Sequence, residues 1–151
     1  MARSPTPVVL AVVERDGDYL LVERDRGDFH GYWGFPGGKM EQDEHVGKAV
    51  ERETAKETGL PAQFQGLRCT VSEFVKKRRS TKHVLIHVCD VTVRNEGELR
   101  GDADWFSEPE LAELDTVPSL IPILDADAPY LESRIELHDD RYELTAFGPP
   151  D

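Results

Sequence analysis

The sequence predicts one layered domain of mixed α+β class, and three observations carry that prediction. Runs rich in aliphatic and β-branched residues recur along the chain, separated by turn signals. Between residues 44 and 58 the pattern becomes helical: Val46, Ala49, Val50 and Thr54 recur three and four apart, with no proline. The length, 151 residues, suits a single core and falls within the ~100–200 residues of one domain.

Residues 8–13 form a continuous apolar run. The Asp16-Gly17 signal before Tyr19, Leu20, Leu21 and Val22 predicts a hairpin of two antiparallel strands. Residues 31–38 hold four glycines and a proline, which forbid a regular helix and favour a loop of close backbone approach. A helix over 44–58 comes next, with Gly59 as its stop. Residues 63–74 read as one or two strands, 76–81 as a polar turn and 83–93 as a strong strand closed by Asn95-Glu96-Gly97. Residues 104–107 predict a short strand, with Ser107 capping a helix that starts near Pro109 and carries Leu111 and Leu114. Pro118, Pro122 and Pro129 interrupt the chain beyond that helix, leaving a short packed helix over 120–124 and a last strand over 142–147. The expectation is one domain over 1–151 with flexible tails at 1–7 and 148–151.

Thirty acidic against 18 basic residues give a formal charge of −12, which excludes a general binder of nucleic-acid polymers. A small anionic ligand would need local cations or a divalent metal to overcome that field. The acidic balance also suits solubility in a high-salt cytoplasm. Cys69 and Cys89 lack any C-x-x-C spacing and read as two buried thiols in a reducing compartment. No apolar run approaches the ~20 residues of a membrane span, and no secretory signal is recognisable. The chain is expected to be cytoplasmic, with no membrane partner.

Glu53 and Glu57 are four apart and share a helix face, with Glu41 and Glu44 at or before its first turn. Alone, they read as a solvated acidic face. Beside a glycine-rich loop that offers free carbonyls and amides, they are a means of holding a hard cation and the phosphate oxygens it bridges.

Gly38, five residues, Glu44, seven residues and then Arg52-Glu53-Thr54-Ala55-Lys56-Glu57-Thr58-Gly59-Leu60 resemble the box of the Nudix hydrolases, G-x5-E-x7-R-E-U-x-E-E-x-G-U, where U is aliphatic. The flanks are similar too: Trp33-Gly34-Phe35-Pro36-Gly37-Gly38, Leu20-Leu21-Val22-Glu23-Arg24, and Trp105-Phe106 with Leu111 and Leu114. The resemblance covers most of residues 8–125. It implies an α/β/α sandwich, a mixed β-sheet between helices, and metal-assisted hydrolysis of a phosphoanhydride in a nucleoside di- or triphosphate derivative, with Mg²⁺ or Mn²⁺ as cofactor. By the same resemblance Glu57 and the Gly37 carbonyl are metal ligands, and Glu53 is a ligand or the group that deprotonates water. Arg52 holds a glutamate by a forked salt bridge, and Glu44 is a structural partner. Arg24, Gly37, Gly38 and Lys39 form the substrate-binding set, and the small-molecule nucleotide is the expected partner. Many such relatives are dimers, so a homodimer is a further expectation.

Lys56 departs from the family pattern, standing where a metal-binding glutamate is usual; Thr54 departs more mildly, at an aliphatic position. Helical spacing puts Lys56 beside Glu53 or Glu57, where an ammonium opposes a cation and competes as a salt-bridge partner. Three accounts compete: fewer or weaker metals, a Lys56–phosphate contact, or a nucleotide-binding or regulatory module with reduced catalysis. A further acid is expected from the loop before the tryptophan, with Glu98 the first choice over Asp102 and Asp104. The basic turn Lys76 to Arg79 offers phosphate contacts. His83 and His87 share a strand face and could line a base pocket, as could Tyr32, Trp33, Phe35 or Phe74. General resemblance favours the nucleoside triphosphate branch.

Overall fold

The structure is a computed structural model that describes residues 5–151. Strand β1 (Thr6–Val12) leads through β2 (Glu14–Arg15) into β3 (Asp18–Glu23), and the glycine-rich segment contributes β4 (Trp33–Gly34) and β5 (Gly37–Lys39). Helix α1 (Val46–Thr58) is followed by the long hairpin of β6 (Ala62–Lys76) and β7 (Thr81–Val93). Then come β8 (Ala103–Ser107), the short helices α2 (Glu108–Leu111) and α3 (Leu120–Asp125), and the hairpin β9 (Tyr130–His138) and β10 (Arg141–Gly148).

Six strands form one mixed sheet in the order β10-β9-β6-β7-β1-β5, with β1 parallel to β7 and β6 parallel to β9. A smaller sheet has β3 between β8 on one side and β2 and β4 on the other. Strand alternation separates two cores. Val9, Ala11, Cys89 and Val91 meet Ala49 and Val50 of α1 on one face. Val71, Val84, Ile86 and Val88 meet Leu111, Leu120 and Ile123 of α2 and α3 on the other. Burying both faces of a mixed sheet requires this helix–sheet–helix layering, as the resemblance implied.

Helix α1 begins at Val46 rather than 44 and ends where expected, with Gly59 left-handed at φ 82° and its N–H bonded to the Ala55 carbonyl. Ser107 and Glu110 form a capping box at the start of α2. Residues 62–76 are one strand with bulges near Gly66 and Cys69. Both cysteines are free and buried, and burial pushes Cys89 up to about 12, which leaves an inert thiol.

Four expectations are corrected. The run at 8–13 does not pair with residues 19–22: β1 lies in the large sheet between β7 and β5, and only Glu14 and Arg15 of β2 close the Asp16-Gly17 turn on β3. The glycine loop is not free of strand structure: Gly37 to Lys39 pair with β1, and Trp33 and Gly34 pair with β3. The tails are shorter than expected, because Thr6 and Pro7 pair with Val84 and Leu85, and Gly148 pairs with Glu132. The remainder of the expected N-terminal tail, residues 1–4, lies outside the described residues. Strand β9 is an addition to the expected elements, although Leu131, Ser133 and Ile135 alternate with exposed positions. A serine in the buried row, facing Glu73 of β6, hides the period-two signal.

Candidate active site

The site forms where the glycine segment is pressed between β1 and α1. The Ala11 N–H donates to the Pro36 carbonyl at 2.8 Å, and β5 continues the contact along β1. A Cβ at Gly37 would collide with the Val9 carbonyl oxygen, and one at Gly38 would lie 2.6 Å from Glu53 Oε2. These two glycines are therefore required by close approach, of backbone in the first case and of a carboxylate in the second.

Arg52 organises the acidic face of α1. Its Nε and Nη2 grip Glu44 Oε2 and Oε1 at 2.7 and 2.9 Å, a bidentate fork. Its Nη1 donates to Glu53 Oε1 at 2.7 Å, and Nη2 reaches the Lys39 carbonyl at 3.3 Å. Glu44 also accepts from the Glu41 N–H at 2.9 Å. With the Arg52 fork as the larger cause and that N–H as the next, its carboxyl is held at about 2. Glu53 is buried, and its side chain is 9% exposed. The arginine thus ties Glu53 to the loop it faces.

Glu57, one turn on, lies with Oε1 3.5 Å from the Gly37 N–H, at the outer limit of a hydrogen bond. Burial raises its carboxyl above the usual range; the Gly37 N–H and the Arg24 charge oppose this, and Glu53 and Asp102 add to it. Two acids and one arginine thus act on Glu57 beside Gly37. The donor set, carboxylates with a neighbouring carbonyl, suits a hard divalent cation that keeps part of its water shell. Among the described residues, no three acidic, imidazole or thiol side chains converge into a ready cluster.

Lys56 is exposed and, among the described residues, forms no ion pair. The expected salt bridge to Glu53 or Glu57 is not formed among the described residues, and Glu53 pairs with Arg52 instead. Glu98 is exposed and sets its carbonyl against Gly59 at the end of α1. Of the loop acids, Asp102 is the one whose charge acts on Glu57, its carbonyl fixed by the Glu23 N–H at 2.8 Å.

A cleft of about 170 Å³ runs from this site along the α3 face of the sheet. Arg24, Gly37, Gly38 and Lys39 line one part of it, together with Phe35. Arg24 is fixed by its Nε–H donating to the Asp28 carbonyl at 2.9 Å. Lys77 of the basic turn pairs with Asp28 at 3.2 Å, while Lys76, Arg78 and Arg79 are exposed. His83 and His87 do not line the cleft, because Val84 and Ile86 do and alternate residues face opposite sides. His83 instead stacks on Phe74 at 4.4 Å and bonds to Ser72 Oγ at 2.9 Å. Sequence reasoning missed several cleft residues, Phe29 and Glu73 among them. Glu73 could have been found, since it interrupts the buried row Cys69, Val71, Val75 at spacing two.

The sequence matches the family model of the NUDIX domain over residues 4–131. It is 35% identical over 126 residues to the CTP pyrophosphohydrolase of Escherichia coli, covering 79% of this chain and 88% of that one. It is 32% identical over 116 residues to the ADP-ribose pyrophosphatase of Methanocaldococcus jannaschii, covering 77% of this chain and 66% of that one. The fold is that of a MutT protein from Bacillus halodurans, with a TM-score of 0.68 at 24% identity over 95% of this chain and 96% of the other.

Proposed function

This chain belongs to the NUDIX family, and from that membership we propose that it is a pyrophosphohydrolase of a nucleoside triphosphate, dependent on Mg²⁺ or Mn²⁺. The observation that carries the reading is the tie from Arg52 through Glu53 to Gly38, with Glu57 beside Gly37. The Gly37 carbonyl, Glu53 and Glu57 would hold the cation, with Asp102 a better-placed helper than Glu98. When bound, the cation supplies neutralisation of phosphate charge and polarisation of the anhydride.

The chain's own groups do the rest. Where Glu53 acts as the base and not as a ligand, its carboxylate, fixed by Arg52, orients the attacking water and takes its proton as the new P–O bond forms and the anhydride P–O bond breaks, releasing the leaving phosphate group. Arg24 and Lys39 line the approach and neutralise the phosphate oxygens. Glu57 carries an unfavourable negative charge without a cation, since it is half-buried within the field of two other acids. Cation binding relieves that repulsion.

Lys56 supports a site with fewer or weaker metals, since its free ammonium replaces a carboxylate. The test is release of phosphate or pyrophosphate from a panel of nucleoside triphosphates and diphosphate-sugars with Mg²⁺ or Mn²⁺, at low and high salt. Metal-dependent turnover that Glu57→Gln abolishes is expected. Nucleotide binding without turnover in both this chain and Lys56→Glu would favour a binding module instead.

A further inference from the structure

The cleft contains a carboxyl that the phosphate chemistry does not use. Glu73 points inward from β6 between Val71 and Val75, is 3% exposed, and has Val84 of β7 and Ser133 of β9 beside it in register. The Ser133 hydroxyl donates to its Oε1 at 3.0 Å, and Ser119, which precedes α3, lines the same cleft and favours the ionised carboxyl. Among the described residues no lysine or arginine pairs with it. Lys82, which lines the same cleft, is turned to Asp28 at 3.7 Å. A buried acid with no cation is costly to ionise and costly to keep, so an apolar side chain would serve this row better if packing were its purpose.

We propose that Glu73 reads the base of the substrate, its carboxyl making a two-point contact with an edge on which a ring nitrogen lies beside an exocyclic amino group, as in cytosine and adenine. The inference rests on the pyrophosphohydrolase reading and adds the base to it. Arg24, Gly37 and Gly38 serve the phosphates, while Glu73 and Phe29 line the same cleft and serve the base. Burial raises the Glu73 carboxyl above its ordinary value, disfavouring the ionised form, and the serine hydroxyls oppose this. A neutral carboxyl donates its O–H to the basic ring nitrogen and accepts from the amino group through its carbonyl. Uracil offers a weaker carbonyl acceptor there. Guanine offers adjacent N–H donors, which call for an ionised carboxylate in a site that disfavours one.

The experiment compares kcat/KM for CTP, ATP, UTP and GTP, and calorimetric binding of the four monophosphates, in the unaltered chain, Glu73→Leu and Glu73→Gln. Thermal unfolding checks that the variants fold. CTP or ATP should be preferred over UTP and GTP by about tenfold or more, with the preference collapsing in Glu73→Leu. It should survive in Glu73→Gln, whose amide still offers one donor and one acceptor. If Glu73→Leu does not fold, loss of the preference in folded Glu73→Gln overturns the proposal. A preference that persists in Glu73→Leu, or turnover with no base preference in the unaltered chain, overturns it while leaving the pyrophosphohydrolase reading intact. Neither turnover nor binding of any nucleotide overturns both.

Discussion

Adding one methyl group at Gly38 tests whether the glycine is there for Glu53. The new Cβ of Gly38→Ala would lie 2.6 Å from Glu53 Oε2 and 2.8 Å from its Cδ, where ordinary contact begins at 3.4 Å. The carboxylate must therefore retreat by about 0.8 Å, within the range of such packing adjustments, or the loop must lift from the helix. Arg52 Nη1 holds Glu53 at 2.7 Å, so the retreat strains that bond as well. Overpacking of this kind costs about 1–3 kcal/mol of stability. Misplacing a reacting group by about 1 Å costs on the order of 10²-fold in rate. Gly37→Ala is the matched control, since its Cβ meets the backbone carbonyl of Val9, which cannot rotate away. It should lower the unfolding midpoint far more than Gly38→Ala. The assay is metal-dependent pyrophosphate release alongside thermal unfolding for both variants. Undiminished turnover in Gly38→Ala, or equal destabilisation by the two substitutions, would refute the assignment of Gly38 to Glu53.

Lys56→Glu should raise divalent-cation affinity by about tenfold or more, read by metal titration, because it exchanges an ammonium for a ligand of opposite charge. Its unfolding free energy should stay within about 0.5 kcal/mol, since the side chain is exposed and pairs with no described acid. Asp102→Asn should weaken cation binding more than Glu98→Gln, because only Asp102 acts on Glu57; the reverse order would restore Glu98 as the helper. Glu44 is held at about 2, below its unfolded value, so the stability it contributes is present above pH 4.5 and lost as pH falls toward 2. Denaturant midpoints across that range should fall for the unaltered chain and flatten for Arg52→Met. Glu57 runs the other way: its carboxyl is raised on folding, so its contribution is greatest below its unfolded value and is lost as pH rises through the folded one.

Much of this site is legible in the sequence. The spacing from Gly38 through Glu44 to Arg52, Glu53, Glu57 and Gly59 is local, since one loop and one helix carry it, and helix periodicity turns sequence distance into shared faces. The tight turn at Asp16-Gly17, the α1 stop at Gly59 and the cap at Ser107 are legible for the same reason: each depends on residues within a few positions of one another. Long-range pairing decided the rest. That Glu53 pairs with Arg52 and not with Lys56 is settled by the packed site, and the choice of Asp102 follows from β8 docking antiparallel on β3. The exclusion of His83 and the entry of Glu73 follow from which face of the β6–β7 hairpin α3 covers. Periodicity says that alternate strand residues face opposite ways; only the packed layers say which way is the cleft.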